Sequence, residues 1–213
     1  MESKKKSKKA TKRIARAAHQ VCDVGMPMVM SSSTDTTHKI DDKAILSGMY
    51  KANIPARFIR KEVTLMVFPW GDNLRGWINT EVPEARRDGK CLFVSSPSKD
   101  SFTVSAMIAR TLVLHGKDAI FTSLAKLLEG EVIRQSEYLV VAGFYDDGFN
   151  KSHGIPMSTE AAHRLAWGLW HLYNEGTTII AQCSPNWSGM SNWWHLGVLE
   201  SLFDKSNSIT IKA

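Results

Sequence analysis

Cys91-Leu92-Phe93-Val94-Ser95-Ser96-Pro97-Ser98-Lys99-Asp100-Ser101-Phe102 is the stretch on which the fold reading turns. Cys91 to Ser95 reads as a buried strand, the small residues after it as a turn, and Thr103 to Leu114 as a helix closed by Gly116. Strand, small-residue turn and helix in that order are the frame of a phosphate-binding loop. Such a loop needs glycines so that backbone N–H groups can wrap the phosphates, and a Lys-Ser/Thr pair to reach the terminal phosphates and magnesium. This turn holds no glycine, and no Gly-Lys-Ser/Thr triplet follows it. The scaffold is expected without its chemistry.

Outward from this stretch the pattern repeats. Ala119 to Thr122 reads as a second strand, followed by a short helix from Ser123 to Leu128 that ends at Gly130. Tyr138 to Ala142 is apolar on both faces, as a central parallel strand is. Ser158 caps a long helix to Glu175, with Ala162, Leu165, Ala166, Leu169 and Tyr173 as its core stripe. Thr177 to Ala181 is a fourth strand, Trp193 to Phe203 another helix, and Ser208 to Lys212 a last strand. Alternating strands and helices predict an α/β fold with a mostly parallel sheet flanked by helices.

The 213 residues suit one domain of about 160 residues plus an extension. Hydrophobic content of 43% and charged content of 23% are ordinary for a globular chain. No apolar run is long enough to span a bilayer and the first residues lack a signal-peptide core, so no membrane partner and a cytoplasmic location are expected. Cys22, Cys91 and Cys183 have no metal-ligand spacing, and reduced thiols fit that compartment. The net charge of +6 is concentrated in Lys4, Lys5, Lys6, Lys8, Lys9, Lys12, Arg13 and Arg16, with Glu2 the one acid among them. Such a block attracts a polyanion by counterion release, and it equally fits a solubilising tail. Residues 1–45 therefore read as a basic, largely disordered extension and linker, including a short amphipathic run from Ile14 to Val21 and the cluster Met26 to Met30. Residues 46–213 read as the α/β domain.

Three further passages carry a resemblance. Lys51-Ala52-Asn53-Ile54-Pro55-Ala56-Arg57-Phe58 resembles the "GIP-x-R-[FY]" start of the ATPase domain in AAA+ helicase loaders of the DnaC/DnaI type and the related IstB transposition helpers. Asn174-Glu175-Gly176-Thr177-Thr178-Ile179-Ile180 is similar to their passage into the sensor strand, and Ser208 to Ile211 to their final strand. The resemblance covers residues 50–213 by the order and spacing of elements. It implies a P-loop NTPase-like (AAA+/RecA-like) sheet and a role with DNA, single-stranded in that family, and with a replicative helicase, in a phage or mobile-element setting. It also leaves self-assembly open.

The resemblance assigns positions, and this chain departs from the pattern at each. Ser95, Ser98 and Asp100 fall at the loop glycines, Ser101 at its lysine and Phe102 at its magnesium-binding Ser/Thr; Lys99 reaches a phosphate only from a shifted register. Ala142-Gly143 stands where an acidic pair is expected, with Asp146 and Asp147 a few residues later in a turn-like Asp-Asp-Gly. Gln182 or Cys183 stands at the sensor asparagine, and Ser201 at the trans-acting arginine. The expectation is a non-catalytic protein with no cofactor. The alternatives are a divergent ATPase using Lys99, Asp146 and Asp147, and a single-strand-binding recombination mediator.

Other constellations are weaker. Ser96-Pro97-Ser98-Lys99 matches an S-x-x-K acylation pattern without its partner motifs. His153, His163, His171 and His195 lack zinc-ligand spacing. Trp187, Trp193 and Trp194, with Trp167 and Trp170 off the apolar stripe of the long helix, either cover the core or offer rings to bases or a protein partner.

Overall fold

Four apolar runs and a largely polar fifth strand pair into one sheet in a computed structural model that describes residues 42–60, 63–144, 159–184 and 202–211. Helices α1 (Asp42–Lys51), α2 (Ala56–Ile59) and α3 (Gly71–Arg87) precede β1 (Cys91–Ser95). Then follow α4 (Ser101–Leu114), β2 (Ala119–Ser123), α5 (Leu124–Leu128), β3 (Tyr138–Phe144), α6 (Thr159–Asn174), β4 (Thr178–Cys183) and β5 (Phe203–Thr210). The strand order is β2-β3-β4-β1-β5, and every pairing is parallel. Among the described residues no helix is long and apolar enough to cross a membrane.

Alternation along the strands divides the core into two layers. Leu92, Val94, Val140, Ala142 and Ile180 meet α1 to α4 on one face. Cys91, Phe93, Leu139, Val141, Ile179 and Ala181 meet α5 and α6 on the other. Burial on both faces is why these strands read as continuous apolar runs.

Helix α3 is an element that the sequence reading did not propose. Its apolar positions Leu74, Trp77, Ile78, Val82 and Ala85 keep helical spacing and are buried, but Pro83 lies inside it and masks the pattern. The chain enters α3 through a 3-10 turn, Leu65–Val67, and a stacked pair, Phe68 and Trp70, with centroids 4.5 Å apart. Gly71 is required there: a Cβ would lie 1.8 Å from the Leu65 carbonyl oxygen.

β5 also corrects the sequence expectation. It begins at Phe203 rather than at Ser208, and Phe203 belongs to the strand and not to a preceding helix. Phe203 pairs with Cys91 and stacks on Phe93 at 4.1 Å. The partner register then jumps, from Leu92 opposite Asp204 to Val94 opposite Ile209. Within the jump the Phe93 N–H donates to Ser208 Oγ at 3.0 Å, and Trp77 Nε1 donates to the Asn207 carbonyl at 2.7 Å. Polar residues thus complete a strand that apolar patterning does not announce.

The amino ends of the strands are tied by side chains. Arg86 of α3 donates to the carbonyls of Glu137 (2.7 Å) and Gly176 (3.0 Å) and lies over the Tyr138 ring at 5.2 Å. Gln135 donates to the Glu175 carbonyl at 2.9 Å, Tyr173 Oη to the Gly89 carbonyl at 2.8 Å, and Thr177 Oγ1 to the Ser136 carbonyl at 2.8 Å.

Candidate functional site

Open parallel sheets bind ligands at the carboxyl ends of their strands, where neighbouring connections leave in opposite directions. Here that place is the boundary between β1 and β4. After β1 the chain crosses to β2 at one edge, and after β4 it crosses to β5 at the other. The order puts β4 between β1 and β3, which neither the 3-2-1-4-5 nor the 2-1-3-4-5 arrangement does.

Gln182 occupies this boundary. It is fully buried at the end of β4, and its amide nitrogen donates to Ser96 Oγ (3.0 Å) and to the Cys183 carbonyl (2.8 Å). Its amide oxygen accepts from the Gly143 N–H at 3.0 Å. Ser96 is itself fully buried, and its N–H donates to the Cys183 carbonyl at 3.0 Å. Gly143 makes the third contact possible. Its φ of +93° lies where side chains are disfavoured, and the β3–β4 register shifts between Val141 and Phe144. One glutamine therefore ties the ends of β1, β3 and β4. Two of the positions that the resemblance reserves for ATP chemistry, at the end of β3 and at the sensor, belong to this network. A glutamine inside Ile179-Ile180-Ala181-Gln182-Cys183 was the available sequence signal, because a buried amide demands partners.

The turn after β1 is filled by its own residues. Ser98 to Asp100 form a short 3-10 turn, with Lys99 exposed and Asp100 half-buried. Asp100 precedes α4 without a side-chain capping bond, and Ser101 is buried at the first position of that helix. Phe102 turns its ring edge onto Phe121 at 5.0 Å and lies 6.3 Å from Phe58. Arg57 covers both rings, 4.7 Å from the Phe58 centroid and 5.2 Å from that of Phe102. Residues 57 and 102 are too far apart in sequence for any periodicity to have paired them.

Ser96 and Lys99 do not form a nucleophile and base pair, since the Ser96 hydroxyl is buried against Gln182 while Lys99 is exposed. Burial pushes the Cys91 and Cys183 thiols up to about 12, so both are inert hydrophobes. Arg110 of α4 is 6% exposed, its Nε has no hydrogen-bond partner among the described residues, and desolvation pushes its pKa down. His163 and His171 are exposed on α6, the latter 3.1 Å from Glu175, and no cluster of metal-ligating side chains occurs among the described residues. Trp167 (69% exposed) and Trp170 meet edge to face at 5.7 Å on the outer side of α6 and do not cover the core. An apolar groove of about 290 Å³ runs along α6, lined by Leu128, Val132, Ile133, Leu165 and Gly168. The basic block Lys4 to Arg16, Met26 to Met30, Asp146, Asp147, His153, Trp187, Trp193, Trp194, His195 and Ser201 lie outside the described residues.

No protein-family model matches this chain, and no curated protein matches it.

Proposed function

We propose that this chain is a non-catalytic DNA replication accessory protein resembling a helicase loader. On this reading its α/β domain is a binding platform on a P-loop-like (AAA+/RecA-like) scaffold, and its basic N-terminal extension contacts DNA or a replicative helicase. The observation that carries the reading is the Gln182 network. The sheet has its strand reversal at the β1–β4 boundary, where a nucleotide would sit, and that boundary is bonded shut by Ser96, Gly143 and Gln182. A phosphate cradle there would require the Ser96 turn to present free N–H groups, and the Ser96 N–H is already committed to the Cys183 carbonyl. Support for the nucleic-acid partner comes from the charge: eight lysines and arginines within sixteen residues supply counterion-release binding with no sequence preference.

The test is a calorimetric ATP titration with magnesium, run beside co-purification with a replicative helicase and a single-strand binding assay on the same preparation. The reading expects no heat of ATP binding, a retained helicase and strand binding that weakens steeply with salt. Tight magnesium-dependent ATP binding, lost in Lys99→Ala, would instead establish the divergent ATPase. Strand binding with the helicase left behind would establish the mediator.

A further inference from the structure

The folded domain carries a cationic and aromatic feature that the closed crevice does not use. Arg57 is exposed and lies across Phe58 and Phe102, and among the described residues it has no carboxylate partner. Phe102 keeps 36% of its surface exposed although it sits in the first turn of α4. Arg60 and Lys99 are exposed on the same two segments, 56–60 and 97–102, whose one acid, Asp100, is half-buried. The guanidinium is thus held against the rings, and no carboxylate among the described residues compensates its charge. A group held in this way loses little freedom when it meets a phosphate, and Phe102 keeps part of its side chain exposed beside it. Single-stranded nucleic acid needs those two elements at neighbouring points: a cation for the backbone and a ring for the base. An acidic polypeptide would use the cations and leave the ring idle, and duplex DNA would hide its bases.

We propose that Arg57 and Phe102 form a nucleotide-contacting shelf on the α/β domain that takes one unit of a single strand, phosphate on Arg57 and base on Phe102. This rests on the nucleic-acid reading above and adds a second contact, separate from the basic extension.

The experiment uses the full chain, with fluorescence anisotropy of a labelled oligothymidylate over a series of salt concentrations. Variants are Arg57→Ala, Phe102→Leu and, as a control cation on α3, Arg75→Ala, each checked by thermal unfolding. Phe102→Leu is expected to weaken binding about tenfold with the salt slope unchanged, in line with the loss of one stacked base. Arg57→Ala is expected to weaken binding and to flatten the slope by about 0.7, the value of one phosphate contact on a single strand. Arg75→Ala is expected to match the wild type. Wild-type affinity in both Arg57→Ala and Phe102→Leu overturns the shelf while leaving the function proposed above intact. Equal displacement of the strand by polyglutamate or by free mononucleotide also overturns it, in favour of an acidic partner or a soluble nucleotide. A wild-type chain that binds no strand at all removes both readings together.

Discussion

Replacing Gln182 with leucine keeps most of the side-chain volume and removes every polar contact it makes. Four groups lose a contact, and their fates differ. The Ser96 hydroxyl is fully buried and loses a donor at 3.0 Å, at a cost of about 1–2 kcal/mol. The Gly143 N–H is half-exposed and can turn partly to water, which limits its cost to about 0.5–1 kcal/mol. The Cys183 carbonyl keeps the Ser96 N–H at 3.0 Å and loses little. The contact from Gln182 to the Ser96 carbonyl, at 3.4 Å, is too long to add much. The expected loss is therefore about 1.5–3 kcal/mol, a fall in Tm of roughly 3–12 °C for a domain of this size. Urea unfolding followed by far-UV circular dichroism measures it. Gln182→Glu should cost more at neutral pH, because its carboxylate keeps the acceptor for Gly143 but points a second oxygen at Ser96 and Cys183. That excess should shrink on acidification, when the carboxyl gains a proton to donate. A loss below about 0.5 kcal/mol for Gln182→Leu would refute the reasoning, since the buried serine would then have found water or another partner.

Other expectations follow from burial and sterics. Gly71→Ala should lower stability by several kcal/mol, or prevent folding, because its methyl overlaps the Leu65 carbonyl; near-native stability would show that the 65–70 segment can move. Arg110→Met should raise stability by about 1 kcal/mol, because it removes a buried Nε–H that has no hydrogen-bond partner among the described residues. A lower Tm would show that the guanidinium is paired after all. The buried thiols titrate at about 9 when unfolded and about 12 when folded, so the unfolded chain loses protons first as pH rises. Stability should be intact below pH 9 and then fall by up to about 1.4 kcal/mol per pH unit for each thiol towards pH 12. The slope should flatten in a Cys91→Ala, Cys183→Ala double variant, and an unchanged slope would count against thiol burial as its cause.

The sequence made β1 to β4 legible because each is buried on both faces and needs no alternation to be seen. It announced β5 only from Ser208, since the strand before it is polar and is held by Phe203 and by bonds to Ser208 and Asn207. It was silent on α3, where Pro83 interrupts a sound apolar spacing. At the site, the absence of glycine from the turn after β1 was visible, but the brace across the strand ends was not. The closure by Gln182 depends on three strand ends meeting, and the Arg57–Phe102 contact on α2 packing against α4. Both are consequences of strand order and helix docking, which residue patterns do not encode locally.

Arg86 points to a division of labour between the two ends of the sheet. It rivets the chain just before β3 and just before β4 to α3, while Gln135, Tyr173 and Thr177 lock the same end. None of these bonds involves a residue at the opposite rim. A protein built this way can rewrite the loops at its carboxyl rim without loosening its foundation. Mutations in those loops that leave the Gln182 brace intact are screened by function more than by folding. The Gln182 brace is the exception, a rim contact on which folding also depends.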